Sequence, residues 1–362
     1  MNKIIYLDAA ASYQKSQSVI DAQVDFLSHH YANSGRGICA RAAYVDNMVA
    51  DARNRVASFM NAEQNQVVFT SGTTMGMNTV AQMLKLNNKC RVAVSDLDHH
   101  SARLPFVKGG ADVLVCPLDK DNNIDINNIP CADVFVITAM SNVLGNAQDV
   151  SGIIRAARQK NPDVITVVDA AQYVVHEKID VKKWDADFVC WSGHKIGADT
   201  GLGILYIKNP NRFGPVFWGG GMVNKIIGDD ILLNNGPDVF EAGTLPLTQI
   251  SGLVKAIDTL EQQRPDLGLI KYLHGELSQI PQIRLLTSDD AAICSFVVDG
   301  MHALDFGAMI GARGVCVRVG NMCASWIHKH LGIDASIRIS VGAYNNQNDI
   351  ETTVKYIKDI IR

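Results

Sequence analysis

The chain has 362 residues, 47% of them apolar and 19% charged, with a formal net charge of −4. That length exceeds one simple core and predicts two lobes. No block of Lys and Arg offers a nucleic-acid surface, and no apolar run approaches the about 20 residues of a membrane span. The N-terminus, "MNKIIYLDAAASY", carries Asp8 where a secretory signal would still be apolar. Short apolar runs then alternate with longer amphipathic ones: "QVVFT", "TMGMNTVAQMLKL", "CRVAVSD", "SARLPFVKGG", "ADVLVCPL", "DVFVITAMS", "VSGIIRAARQK", "VITVVDAAQ", "ADFVCWSG" and "GILYIK". The rhythm predicts an α/β fold with a mainly parallel sheet covered by helices. Such sheets bind ligands at the carboxyl ends of their strands. A Gly- and Asn-rich stretch interrupts the pattern from about Asn209 to Gly243. After the helical segment "LTQISGLVKAIDTLEQQ", the runs "AICSFVVDG", "ALDFGAMIGARG", "VCVRVG", "IRISVGAY" and "NDIETTVKYIKDIIR" predict a smaller α+β lobe.

The chain has eight cysteines, none in a C-x-x-C pair, so neither a zinc site nor a redox dithiol is expected. Those in "VLVCPL", "FVCW" and "AICSFVV" read as small buried hydrophobes. Free thiols in a chain this long point to a reducing compartment, and the expectation is a cytoplasmic protein.

Polar residues just after the predicted strands are the candidates for chemistry. In "FTSGTTMGMNTV", Thr73 and Thr74 open a helix; this is either an ordinary N-cap or a phosphate cradle of N–H groups and hydroxyls. In "VITVVDAAQ", Asp169 ends a very apolar strand; it caps a helix, holds a proton on a ring nitrogen, or binds a metal. "FVCWSGHKIGADTGLGILYIK" places Ser192, His194 and Lys195 in a glycine-rich loop between two apolar strands. Lys195 either reaches solvent or is buried with a lowered pKa, the condition for a Schiff-base nucleophile. His99 and His100 follow a strand with no third metal ligand at a helpful spacing; they are structural or offer a flat stacking face. "VCVRVGNMCASW" puts Cys323 in a polar, glycine-containing loop, unlike the strand cysteines, and exposed loop thiols near cations are the reactive kind. Arg318 and Arg338 each form a structural salt bridge or hold an anion; a mid-strand arginine such as Arg338 suits a carboxylate bound by a bidentate fork. A phosphate cradle, a ring-nitrogen acid, a stacking imidazole and a Schiff-base lysine together are the parts for pyridoxal phosphate.

On these motifs the chain resembles group II cysteine desulfurases, the SUF-type branch of the class V aminotransferase (fold-type I) superfamily, from "YLDAAAS" to "SIRISVGAYNN". The resemblance implies the fold-type I architecture, a large domain with a seven-stranded-type, mainly parallel sheet plus a smaller α+β domain. It implies residues 16–245 for the cofactor-binding domain and 1–15 with 246–362 for the smaller one. "SGTTMGMN" implies phosphate contacts for Thr73 and Thr74; "DHHS" implies ring stacking by His99; "SNVLG" puts Asn142 beside cofactor and substrate. "VDAAQ" gives Asp169 to the pyridinium nitrogen and Gln172 to the ring oxygen. "SGHK" gives Ser192 and His194 to the phosphate and Lys195 to the covalent link. "FEAGT" resembles the segment reaching a partner subunit's phosphate through Gly243 and Thr244, which implies a homodimer. "VRVGNMCA" resembles Arg-x-Gly-x-His-Cys-Ala and makes Cys323 the sulfur acceptor. Arg338 matches the substrate-carboxylate arginine, with Arg318 and Arg36 beside the substrate.

The sequence departs from the family where Met322 stands in place of the usual His before the reactive cysteine and Gly35 in place of another His. The implied activity is conversion of L-cysteine to L-alanine, with Lys195, Cys323 and His99 catalytic. Sulfur passes as a persulfide to an acceptor, iron–sulfur cluster assembly being one destination. A selenocysteine lyase, a cysteine β-lyase or an aminotransferase of the same superfamily keeps the cofactor and drops the persulfide. A partner-binding scaffold with a vestigial site is the non-enzymatic alternative. No metal, nucleic acid or membrane is expected.

Overall fold

Seven of the short apolar runs become the strands of one sheet in the computed structural model, which describes residues 4–35 and 37–362. Their order across the sheet is Val67–Thr70, Gly203–Ile207, Phe188–Ser192, Ile165–Asp169, Val134–Thr138, Arg91–Ser95 and Asp112–Cys116. Gly203–Ile207 runs antiparallel to both neighbours; every other pairing is parallel. Six of the strands lack a polar face because both faces are covered, whereas the edge strand Asp112–Cys116 is partly exposed. Val67 and Phe69 enter the core on one side, and Val68 enters the other. Helices Thr73–Met83 and His100–Lys108 cover the second side, while Ala40–Met60, Val150–Lys160 and Leu247–Gln262 cover the first.

A separate core lies under a four-stranded antiparallel sheet of Ile283–Leu285, Cys294–Val298, Ser336–Ile339 and Arg318–Gly320. Helices Leu267–Leu277, Ala303–Gly311 and Gln347–Ile361 pack on it. The chain's first described strand, Ile5–Tyr6, pairs with Val315–Cys316, and Asp8 bridges Ser340. The N-terminus therefore belongs to this second layer. Helix Leu247–Gln262 contributes Leu253 and Ile257 to the larger core, so the division of the chain at 245/246 stays a proposal.

The irregular stretch after Asn209 contains an element that periodicity missed. Val223–Ile227 and Asp230–Leu233 form an antiparallel hairpin turning at Gly228, whose φ is 60°. Its Ile226 and Ile231 are exposed on this chain. Cys116, Cys190 and Cys294 are buried in the cores, as their apolar runs predict, and all eight thiols are free. No described helix is long and apolar enough to cross a membrane.

The topology sends the carboxyl ends of six of the strands, all but Gly203–Ile207, to one edge of the large sheet, where Thr70, Asp169 and Ser192 end their strands. The site stands on this edge.

Candidate active site

At that edge a cavity of about 260 Å³ is lined by Thr73, Thr74, His99, Ser101, Thr138, Met140, Asn142, Asp169, Ala171, Gln172, Ser192, His194 and Lys195. Strand Phe188–Ser192 is fully buried, and the turn Gly193–Lys195 directly after it delivers Lys195 to the cavity floor. Its Nζ donates to the Ala10 carbonyl at 2.6 Å. Burial, then the nearby Arg338 guanidinium, lowers the lysine pKa to about 8, against the opposing pull of Asp169 and Asp8. A substantial fraction of this amine is neutral near physiological pH, as a nucleophile or base requires.

Asp169 is 5% exposed. One carboxylate oxygen accepts from the Ala171 N–H at 2.9 Å, and no described residue bonds the other. Burial pushes this carboxyl up to about 6. Gln172 turns its amide to Ala10, whose carbonyl accepts from Gln172 Nε2 at 2.7 Å as well as from Lys195. His99 caps helix His100–Lys108, with Nδ1 accepting from the Ser101 N–H at 3.1 Å. Burial, then Lys195, lowers its pKa to about 4. His194 is likewise lowered to about 4 by burial, then by Lys195. Both imidazoles are neutral at pH 7, and the assigned bond leaves the His99 proton on Nε2.

The opposite end of the cavity is a hydroxyl and N–H cluster. Thr73 N–H donates to Ser192 Oγ at 2.8 Å, and the Thr73 hydroxyl lies 2.8 Å from the same oxygen. Gly72, at φ 144°, precedes the helix in a conformation a side chain rarely adopts. Gly203 lets the strands close on it: a Cβ there would meet the Gly72 Cα at 2.4 Å. Thr74 is exposed at the rim.

The structure brings Arg338, Arg318 and Cys323 near the cavity without placing them on its wall. Arg338 is 2% exposed and lies behind Asn142 and Asp8. Its Nη1 donates to the Asn142 carbonyl at 2.7 Å and its Nη2 to Asp8 at 3.2 Å; its Nε has no described partner. Arg318 donates to the other Asp8 oxygen at 2.5 Å. Asn142 Nδ2 donates to the Met322 carbonyl at 2.9 Å, and the His100 N–H donates to the Cys323 carbonyl at 2.7 Å. The turn carrying Cys323 is thus tied to two residues at the cavity rim, and its thiol is exposed. Met322 and Cys323 have φ of 52° and 54°, a left-handed pair without glycine. Each costs about 1–2 kcal/mol relative to an ordinary conformation. Gly243 and Thr244 lie outside the cavity, on an open cleft of about 710 Å³ with Gly35, Arg53 and Glu241. There Arg53 and Glu241 form a buried bidentate pair at 2.7 Å. Arg36 lies outside the described residues. Among the described residues no group of three or more His, Cys, Asp or Glu is placed to hold a metal.

Three residues of this network had no role in the sequence reading. Asp8 bridges both arginines, Ala10 acts through its backbone carbonyl, and buried Asp98 underlies the His99 turn. Asp98 accepts from Ser95 N–H at 2.8 Å and Thr138 Oγ1 at 2.8 Å. Asp98 and Asp8 each stood as an acid in or beside a motif already singled out, which is the signal that could have found them. A carbonyl leaves no trace in residue identity.

The aminotransferase class-V family matches residues 5–353. A probable cysteine desulfurase of Vibrio cholerae serotype O1 is 32% identical, covering 98% of this chain and 93% of that protein. The cysteine desulfurase CsdA (S-sulfonic acid) from Escherichia coli superposes with a TM-score of 0.90 at 28% identity, over 98% of this chain and 94% of that one. The cysteine desulfurase from Thermococcus onnurineus NA1 gives 0.92 at 27% identity, over 99% and 95%.

The lowered amine is open to direct test in ligand-free protein. Labelling of Lys195 by an amine-selective acylating reagent, mapped by peptide mass, should rise with a midpoint near pH 8, as the free base appears at its lowered pKa. Exposed lysines should follow their ordinary value of about 10.4. The unfolded chain binds the additional proton between these limits, so this group makes stability rise with pH across that window. A Lys195 midpoint at 10 or above would contradict the geometry.

Proposed function

This chain belongs to the aminotransferase class-V family, and from that premise we propose that it is a pyridoxal 5′-phosphate-dependent cysteine desulfurase. It moves sulfur from L-cysteine to Cys323 and releases L-alanine. The observation that carries this reading is Lys195 and Asp169 in one small cavity, a lowered amine and a carboxylate with one oxygen unclaimed by the protein.

The residues fit the cofactor. A buried carboxylate raised to about 6 is stabilised as the anion by a cation beside it, which a protonated ring nitrogen provides. The Thr73 N–H and the hydroxyls of Thr73, Thr74 and Ser192, with His194, are suited to a phosphate at the start of a helix. Bound pyridoxal 5′-phosphate supplies an aldehyde for amines and a ring that takes up electrons from the substrate α-carbon.

The protein's own groups then divide the work. Asp169 would hold the proton on a ring nitrogen, and Gln172 would serve the ring oxygen. His99, on the cavity wall, would offer the ring an uncharged face. Lys195 Nζ would hold the aldehyde and, once free, would act as the base that takes the α-proton. Arg338 orients the substrate carboxylate, exchanging its Asp8 or Asn142 contact to do so, with Arg318 and Asn142 bonded into the same network; Arg36 is assigned to the substrate by its motif alone. Cys323, as thiolate, forms an S–S bond with the substrate sulfur while the carbon–sulfur bond breaks. The carbon fragment takes up a proton and leaves as alanine. The persulfide then passes to a thiol or an acceptor protein. Eight free thiols favour a reducing compartment, the cytoplasm.

Gly243 and Thr244 point this reading towards a homodimer, since they stand on a cleft apart from their own chain's cavity. Each pair completes the phosphate end of a second copy's site.

Purified protein given L-cysteine and a reductant should yield alanine and sulfide together. Lys195→Ala should lower the rate by about 10²–10⁴, and Cys323→Ser should fall to background while keeping the visible absorbance of bound cofactor. Full activity in Cys323→Ser would refute the persulfide step, and pyruvate in place of alanine would indicate a β-lyase. Shared sites make a second prediction. Lys195→Ala and Thr244→Glu should each be inactive as homodimers, but their mixed dimer should regain activity at the one site that holds both native residues. An inactive mixture of confirmed heterodimers would place Thr244 within its own chain's site.

A further inference from the structure

The turn at Cys323 holds two successive left-handed residues with Cβ atoms, so something outside it must keep it from relaxing. Within the turn, Asn321 accepts from the Cys323 N–H through Oδ1 at 3.2 Å and from the Ala324 N–H through its carbonyl at 2.9 Å. From outside, Asn142 holds the Met322 carbonyl at 2.9 Å. Met322 itself packs against the large core and brings no titratable group to the thiol.

The other outside hold is His100, and it grips both sides of the reactive residue. Its backbone N–H donates to the Cys323 carbonyl at 2.7 Å. Its ring Nε2 accepts from the Ser325 N–H at 3.4 Å and lies 3.1 Å from Ser325 Oγ. The ring also meets Trp326 edge to face, with centroids 5.2 Å apart. His100 directly follows His99, which lines the cavity. The ring therefore links the cavity wall to the segment immediately after the thiol.

We infer that His100 is a positioning residue for Cys323: its imidazole anchors Ser325 and so keeps the strained turn that carries the thiol fixed beside the cavity wall. Its contribution is an acceptor at the Nε2 position and not proton transfer. The inference deepens the desulfurase reading and rests on it for its kinetic consequence, whereas the anchor itself is a property of the folded chain.

The test compares His100→Ala, which removes the acceptor, with His100→Gln, whose side-chain oxygen reaches the same place. Both are made as holoenzyme, with cofactor absorbance checked against wild type. Deuterium exchange of backbone amides in 323–326 should rise about tenfold or more in His100→Ala and stay near wild type in His100→Gln. Persulfide formation on Cys323 in a single turnover should fall between about tenfold and 10²-fold in His100→Ala. His100→Gln should stay within about threefold of wild type, and the L-cysteine concentration giving half the spectral change should not move in either. Unchanged exchange in His100→Ala, equal loss of rate in both variants, or an effect on substrate binding alone would overturn the assignment. If wild type itself forms no persulfide, the desulfurase reading fails, while the exchange result still decides the anchor.

Discussion

The cost of keeping an ammonium ion out of water governs this site. Lys195 sits at the end of a fully buried strand, where the charged form is poorly solvated and two arginines add repulsion. The protein meets that cost with few groups: the Ala10 carbonyl at 2.6 Å, and the Asp169 and Asp8 carboxylates at longer range. The balance leaves the amine able to lose its proton near neutral pH. Neighbouring imidazoles, held uncharged by the same burial, add no further positive charge. Away from the amine, the cavity is provided with the hydroxyls and N–H groups of Thr73 and Ser192.

The segment Asp8 to Ala10 couples this cavity to the second lobe. It belongs by pairing to the second lobe, through the bridge from Asp8 to Ser340 and the bond from the Ala10 N–H to Ser340 Oγ. Its side chain at Asp8 holds Arg338 and Arg318, and its carbonyl at Ala10 holds Lys195 and Gln172. A single short stretch therefore relates the buried amine of Lys195 to the buried guanidinium of Arg338. It also explains how Arg338 stays buried: the Asp8 carboxylate and the Asn142 carbonyl each accept from one Nη nitrogen, leaving Nε as the guanidinium nitrogen without a described partner.

The large sheet was legible because strands buried on both faces read as unbroken apolar runs, and all seven runs became strands. Thr73, His99, Asp169, Ser192 and Lys195 were legible as a set because a parallel sheet gathers strand ends, however distant in sequence, along one edge. The hairpin 223–233 was not seen, although Gly228-Asp229 between apolar runs is a turn signal; a Gly/Asn-rich stretch masked it. The roles of Asp8 and Ala10 were invisible for a different reason. They depend on the N-terminus crossing to the second lobe and, at Ala10, on a backbone atom common to every residue. The strain at Met322 and Cys323 was equally hidden, since neither residue type announces a left-handed conformation.

In the proposed function Lys195 is the residue that carries the cofactor. Reducing the purified holoenzyme with borohydride and mapping its peptides by mass tests it most directly. One pyridoxyl-phosphate adduct should form, on the peptide containing Lys195, and none in Lys195→Ala. An adduct on a different lysine, or wild-type protein that takes up no cofactor at all, would contradict it.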